Sequence, residues 1–119
     1  MTVQRGDIVL VDFPYSDRTG SKVRPALVVQ SDSLNQQLAD TIIALVSGSK
    51  SRFVGAASQL VVDISTPDGI RTGLRHASVI QCENLITLDQ SLILRTIGRL
   101  SSAMIRQIDS CLKAALGLP

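Results

Sequence analysis

The stretch Lys22-Val23-Arg24-Pro25, running straight into Ala26-Leu27-Val28-Val29, sets cations directly against an aliphatic run of buried type. A proline biases the residue before it toward extended backbone, so Arg24 is expected at a rigid junction where a loop ends and a strand begins. A guanidinium held this way suits planar, bidentate contact with a phosphate or a carboxylate. The competing reading is a surface arginine in a salt bridge. Arg18, Lys22 and Arg24 form one cationic cluster, Lys50 and Arg52 a second, and Arg71 and Arg75 beside His76 a third. Arginine outnumbers lysine nine to three. Three small arginine-bearing clusters would serve a phosphodiester ligand if the fold pooled them; left apart, they are solubilising charge.

Other chemistry is poorly supplied. There is one histidine, His76, and the sequence has no paired metal ligands, no glycine-rich phosphate loop and no nucleophile elbow. No metal or other cofactor is expected. Three aromatics, Phe13, Tyr15 and Phe53, are too few for a broad base-stacking platform. The net charge of +2 is weak support for a polyanionic partner, so the distribution of cations matters more than their sum. Cys82 and Cys111 lack metal-type spacing and read as two buried thiols. No apolar run approaches the roughly 20 residues that span a bilayer, and the N-terminus lacks the pattern of a secretory leader, so a cytoplasmic protein with no membrane partner is expected.

The elements that must position these residues are short. At 119 residues, 45% hydrophobic and 18% charged, the chain is expected to be one globular domain over 1–119. Runs rich in Val and Ile at 8–13, 26–30, 41–46, 60–64 and 78–83 are too short for helices and read as strands. Residues 95–100 are a weaker sixth candidate because Gly98 interrupts them. Three polar segments separate the runs, about 14–24, 47–58 and 65–77, the last with the Pro67-Asp68-Gly69 turn signal. Each holds one basic cluster, so loops at one end of a barrel would pool them. From Ser101 onward Met104, Ile105, Ile108, Cys111, Leu112, Ala115 and Leu116 recur at helical spacing, with a serine to cap the start and Gly117 to end it. The expected architecture is mainly β: a small barrel of five to six mostly antiparallel strands with a C-terminal helix.

Four blocks in this order, RGDIVLVDF at 5–13, KVRPALVVQSD at 22–32, TIIALVSGS at 41–49 and SVIQCENLITLD at 78–89, resemble the successive blocks of the MazF/PemK family of toxin ribonucleases. The resemblance runs over nearly the whole chain. It implies an SH3-like barrel with a C-terminal helix, a homodimer, a cognate antitoxin as partner, and metal-independent cleavage of single-stranded RNA. The family arginine matches Arg24, and the family hydroxyl, often Thr, matches Ser47. A block that reads R-x-D in some members reads Gln81-Cys82-Glu83 here, which keeps the carboxylate and loses the cation.

Metal-free RNA cleavage uses the substrate's own 2′-OH as nucleophile, so the protein must orient the phosphate, stabilise developing charge and move protons. Arg24, as a planar guanidinium with several N–H donors, fits electrostatic stabilisation. Ser47 fits a hydrogen bond to a phosphate oxygen or to the 2′-OH. Glu83 is a candidate base if it stays ionised, against the reading of a solvated strand residue. His76 is a second candidate base by residue type but has no matching family position, which makes it the weaker one. Arg18 and Lys22 fit contacts to the RNA backbone. The alternative, kept open by Gln81 and the low charge, is a same-fold toxin or silent dimeric module that binds a protein target such as a gyrase.

Overall fold

The computed structural model describes residues 2–14, 21–48 and 55–119. Among them, six strands form one antiparallel sheet in the order β4-β5-β3-β2-β1-β6. β1 (Asp7–Pro14) and β2 (Ser21–Val28) make a hairpin in which Ile8 faces Leu27, Leu10 faces Pro25 and Val11 faces Arg24. β3 (Asp40–Gly48) pairs with β2 only over Ala26–Val28, then along β5 (Ser78–Asp89) for its whole length. β4 (Gln59–Val62) lies on the outer side of β5, and β6 (Ile93–Arg99) on the outer side of β1.

Alternation along the strands sends side chains to two separate cores. Val9, Val11, Ala26, Val28 and Ile43 point one way and pack with Val3, Leu88 and Ile93. Ile8, Leu27, Ala44, Val46, Val62, Ile80 and Cys82 point the other way, where α3 (Ser102–Leu116) covers them with Met104, Ile108 and Cys111. The helix is capped by the Ser101 hydroxyl, which accepts from the Met104 amide, and it ends at Gly117 in left-handed conformation. Both cysteines are free and buried.

Boundaries differ from expectation in places that bear on the site. β2 begins at Ser21, not at Pro25, so Arg24 lies inside a strand and not at its start. Pro25 is tolerated there because, among the described residues, β2 has only β1 beside it at that level, and an edge position loses little by lacking an N–H. The segment containing Pro67-Asp68-Gly69 is not a plain turn but a short helix, α2 (Pro67–Arg71), because the Thr66 hydroxyl accepts from the Gly69 amide and Pro67 fits the first turn. α1 (Asp32–Gln37), capped by Ser31, went unanticipated because its residues carry no apolar period. Buried Asn35 fixes it in place: its side chain donates to the Gln30 carbonyl (3.1 Å) and accepts from Thr41 Oγ1 (2.7 Å) and Gln30 Nε2 (2.9 Å).

Candidate nucleic-acid interface

Strand register places Arg24 and Ser47 on one face of the sheet. Residues directly across an antiparallel pair share a face, and residues two apart on one strand do the same. Arg24 continues the row of Ala26 and Val28, and Ser47 continues the row of Ile43 and Leu45, so the two project from the same face of the sheet. Continuing the β2 and β3 register two residues past the Ala26 and Leu45 pair would set Arg24 opposite Ser47, but the ladder stops at that pair. The two side chains therefore flank an open rung at the end of the sheet. Lys22 lies two residues from Arg24 on the same face and pairs with Phe13, an aromatic whose position beside two cations the sequence did not reveal. Arg18 lies outside the described residues, as do Lys50 and Arg52.

The ion pairs among the described residues are Arg5 with Asp109 and Arg99 with Asp7, so exposed Arg24 is in neither. The Ser47 hydroxyl, like Asp12 Oδ1 and Gln59 Oε1, is shielded from solvent and has no hydrogen-bond partner among the described residues. An unmade bond of this kind costs about 1–3 kcal/mol, which a ligand group placed against the hydroxyl would recover.

Glu83 sits elsewhere. Leu45 faces Gln81 while the preceding Ala44 faces Leu85, which leaves Cys82, Glu83 and Asn84 as a bulge in β5. The Glu83 carboxylate accepts from Gln59 Nε2 (2.7 Å) and Ser58 Oγ (2.8 Å), on the β4 side and away from β2. Burial pushes this carboxyl up, but the bonds from Gln59 and Ser58 outweigh it and hold the group below its ordinary range, hence ionised at neutral pH. Its backbone lies four residues along β5 from Val79, the partner of Ser47, roughly 13 Å of strand. The structure thus sets Arg24, Ser47 and Lys22 on one face and ties Glu83 to the base of β4.

β1 ends, β2 begins, β3 ends and the β4–β5 connection starts and finishes at one end of the sheet, since Pro14 pairs with Ser21, Gly48 with Ser78, and Val62 with Ser78. β4, by contrast, begins further along β5, with Gln59 opposite Gln81. Residues 15–20 and 49–54 of the first two expected loops lie outside the described residues. The connection from β4 to β5 is pinned on β6 by two glycines. A Cβ on Gly98 would come within 2.3 Å of the Arg71 carbonyl, and one on Gly73 within 2.1 Å of the Ile97 carbonyl. Backbone lies on backbone there, which fixes where Arg75 and His76 emerge. His76 is exposed and lines a cleft with Pro25. Among the described residues no group of three His, Cys, Asp or Glu side chains could hold a metal ion, and no helix is long and apolar enough to cross a membrane.

Residues 4–116 match the family model of the PemK-like, MazF-like toxins of type II toxin-antitoxin systems. The chain belongs to this family. It is 27% identical over 119 residues, 99% of this chain and 100% of the relative, to endoribonuclease MazF6 of Mycobacterium tuberculosis, and equally to endoribonuclease MazF2 of Mycobacterium bovis. Its fold is similar to that of a mycobacterial endoribonuclease solved in complex with its cognate antitoxin (TM-score 0.77, 20% identity, 98% of this chain and 97% of that one). It also matches a MazE-MazF structure from Deinococcus radiodurans (TM-score 0.75, 18% identity, all of both chains). The family is thus shown over nearly the whole length, and the mainly antiparallel fold with its terminal helix is the one these toxins share.

Proposed function

We propose that this toxin is an endoribonuclease that cuts single-stranded RNA without a metal ion, through attack of the substrate 2′-OH on the adjacent phosphate, and so inhibits translation and growth. The observation that carries this reading is the open rung between β2 and β3, where a guanidinium and a hydroxyl, both without a partner among the described residues, share one face. The Arg24 guanidinium spreads positive charge over two non-bridging phosphate oxygens and stabilises the negative charge that builds as the 2′-oxygen attacks. The Ser47 hydroxyl donates to a phosphate oxygen or to the attacking oxygen, once the substrate enters against it. Lys22 and Arg18 hold neighbouring phosphates. Glu83 is ionised and able to accept a proton, but its hydrogen bonds to Ser58 and Gln59 make it first an anchor of β4, so its share in catalysis is smaller than that of Arg24. The relatives named as endoribonucleases support the activity, and the complex of a similar fold with a cognate antitoxin supports an antitoxin as partner. A homodimer in the cytoplasm, built from a single domain over 1–119, completes the proposal.

The test is incubation with a long unstructured RNA in excess EDTA, followed by analysis of the new ends. Fragments ending in 2′,3′-cyclic phosphate are expected, because the 2′-oxygen displaces the leaving 5′-oxygen. Intact RNA, or fragments ending in 3′-hydroxyl, would contradict the proposal.

A further inference from the structure

The chain carries a second basic surface, on the other side of the hairpin from Arg24. A cleft of about 650 Å³ is walled by Pro25 of β2, Arg75 and His76 of the connection between β4 and β5, Ser78 of β5, and Arg95 and Thr96 of β6. Thr96 and Ile97 also line a second cleft of about 650 Å³ that runs along β6 past Arg71 to Ser101 and Ser102. No Asp or Glu lines either cleft, whereas the cleft beside α2 on the β4 side is lined by Asp63 and Asp68. Arg71, Arg75 and Arg95 are exposed and take part in no ion pair among the described residues.

We propose that this groove along β6 is a binding site for the phosphodiester backbone of single-stranded RNA flanking the cleaved position, an inference that rests on the nuclease reading above. Three features favour a nucleic-acid backbone. The groove offers arginine forks and hydroxyls without base-reading carboxylates, the inventory of phosphate contacts that position a strand. It extends through two adjoining clefts, longer than one phosphate requires. It also abuts the open rung, since Pro25 adjoins Arg24, and Ser78 adjoins Val79, the partner of Ser47. Arg24 and Pro25 face opposite ways, so the strand of RNA crosses where β2 has parted from β3. The glycine contacts that lay residues 71–73 on β6 set Arg75 across the groove from Arg95.

The experiment uses the full chain and a fluorescent 2′-O-methyl RNA pool of random sequence, which binds without being cut. Anisotropy is read against salt for wild type, Arg75→Ala/Arg95→Ala and Arg24→Ala, with cleavage of ordinary RNA measured in parallel. The double variant is expected to weaken binding about tenfold and to lower the salt slope by about 1.4, two phosphate contacts' worth for a single strand. A wild type that does not bind the pool, or an unchanged Kd and slope in the double variant, would overturn the site; so would a poly-glutamate peptide, titrated beside the pool, if it alone binds more weakly to the double variant, and this last in favour of protein docking. Loss of binding in the double variant beside a wild type that cuts no RNA would leave the groove standing and sink the nuclease reading. Cleavage that vanishes with Arg24→Ala while the double variant binds as wild type would do the reverse.

Discussion

Two arginines stand in conspicuous blocks of this sequence, and the fold treats them oppositely. Arg5 is occupied: its Nη2 lies 2.7 Å from Asp109 Oδ1 on α3, its Nε donates to the Val29 carbonyl (2.9 Å), and its amide donates to Asp32 Oδ1 (2.6 Å). Asp7, two residues on, is nearly buried, pairs with Arg99 and accepts from the Gln4 amide (2.9 Å). The Arg5-Gly6-Asp7 block is therefore a clasp that fixes the N-terminus to α1, α3 and β6. Arg24, by contrast, has no ion-pair partner among the described residues and stands over an interrupted ladder. A charged block can thus serve folding or a ligand, and whether its partners lie inside the chain tells the two apart.

The comparison breaks if Arg24 proves structural. Replacing it with Ala should lower kcat/KM for RNA roughly 10²- to 10³-fold, the usual loss of one preorganised donor to a developing anion, with an unchanged melting temperature. At the other pole, Asp7→Ala should destabilise by about 1–3 kcal/mol in denaturant melts, because it removes the carboxylate partner of Arg99 and the acceptor of the Gln4 amide, and should leave turnover per folded molecule intact. Ser47→Ala sharpens the contrast, since it should cut activity about tenfold while raising stability by about 1 kcal/mol through removal of an unmet buried hydroxyl. A variant that lost stability as well would show that Ser47 belongs to the scaffold. Glu83→Gln is expected to do least to cleavage, less than tenfold. The Glu83 carboxyl is held below its ordinary value in the fold, so its contribution to stability is present above its unfolded pKa and is lost as pH falls through the lower folded value. The gap in melting temperature between wild type and Glu83→Gln should therefore be visible at pH 7 and close in strong acid.

Much of the strand layout was legible because β-branched runs bounded by Gly, Pro and Ser leave few alternatives, and the terminal helix because its period and both ends were written in residues 101–117. The short helices were not, since a capped turn such as Pro67–Arg71 is decided by a hydroxyl reaching one amide and not by a pattern. Arg24 stood out through its proline neighbour, although that proline marks an unpaired edge of β2 and not its beginning. Arg95 gave no comparable signal: its place in a basic groove depends on Gly73 and Gly98 letting two distant backbones touch. The bulge that carries Glu83 toward Ser58 was equally invisible, because a register shift follows from how β3 and β5 meet over their full length.

The most direct test is to prepare Arg24→Ala and Arg5→Ala side by side and measure, on the same samples, metal-free cleavage of RNA and thermal unfolding. Arg24→Ala should lose cleavage with an unchanged melting temperature, and Arg5→Ala should cleave normally with stability lowered by about 1 kcal/mol. An Arg24→Ala protein that is folded and cuts RNA at the wild-type rate would contradict the account.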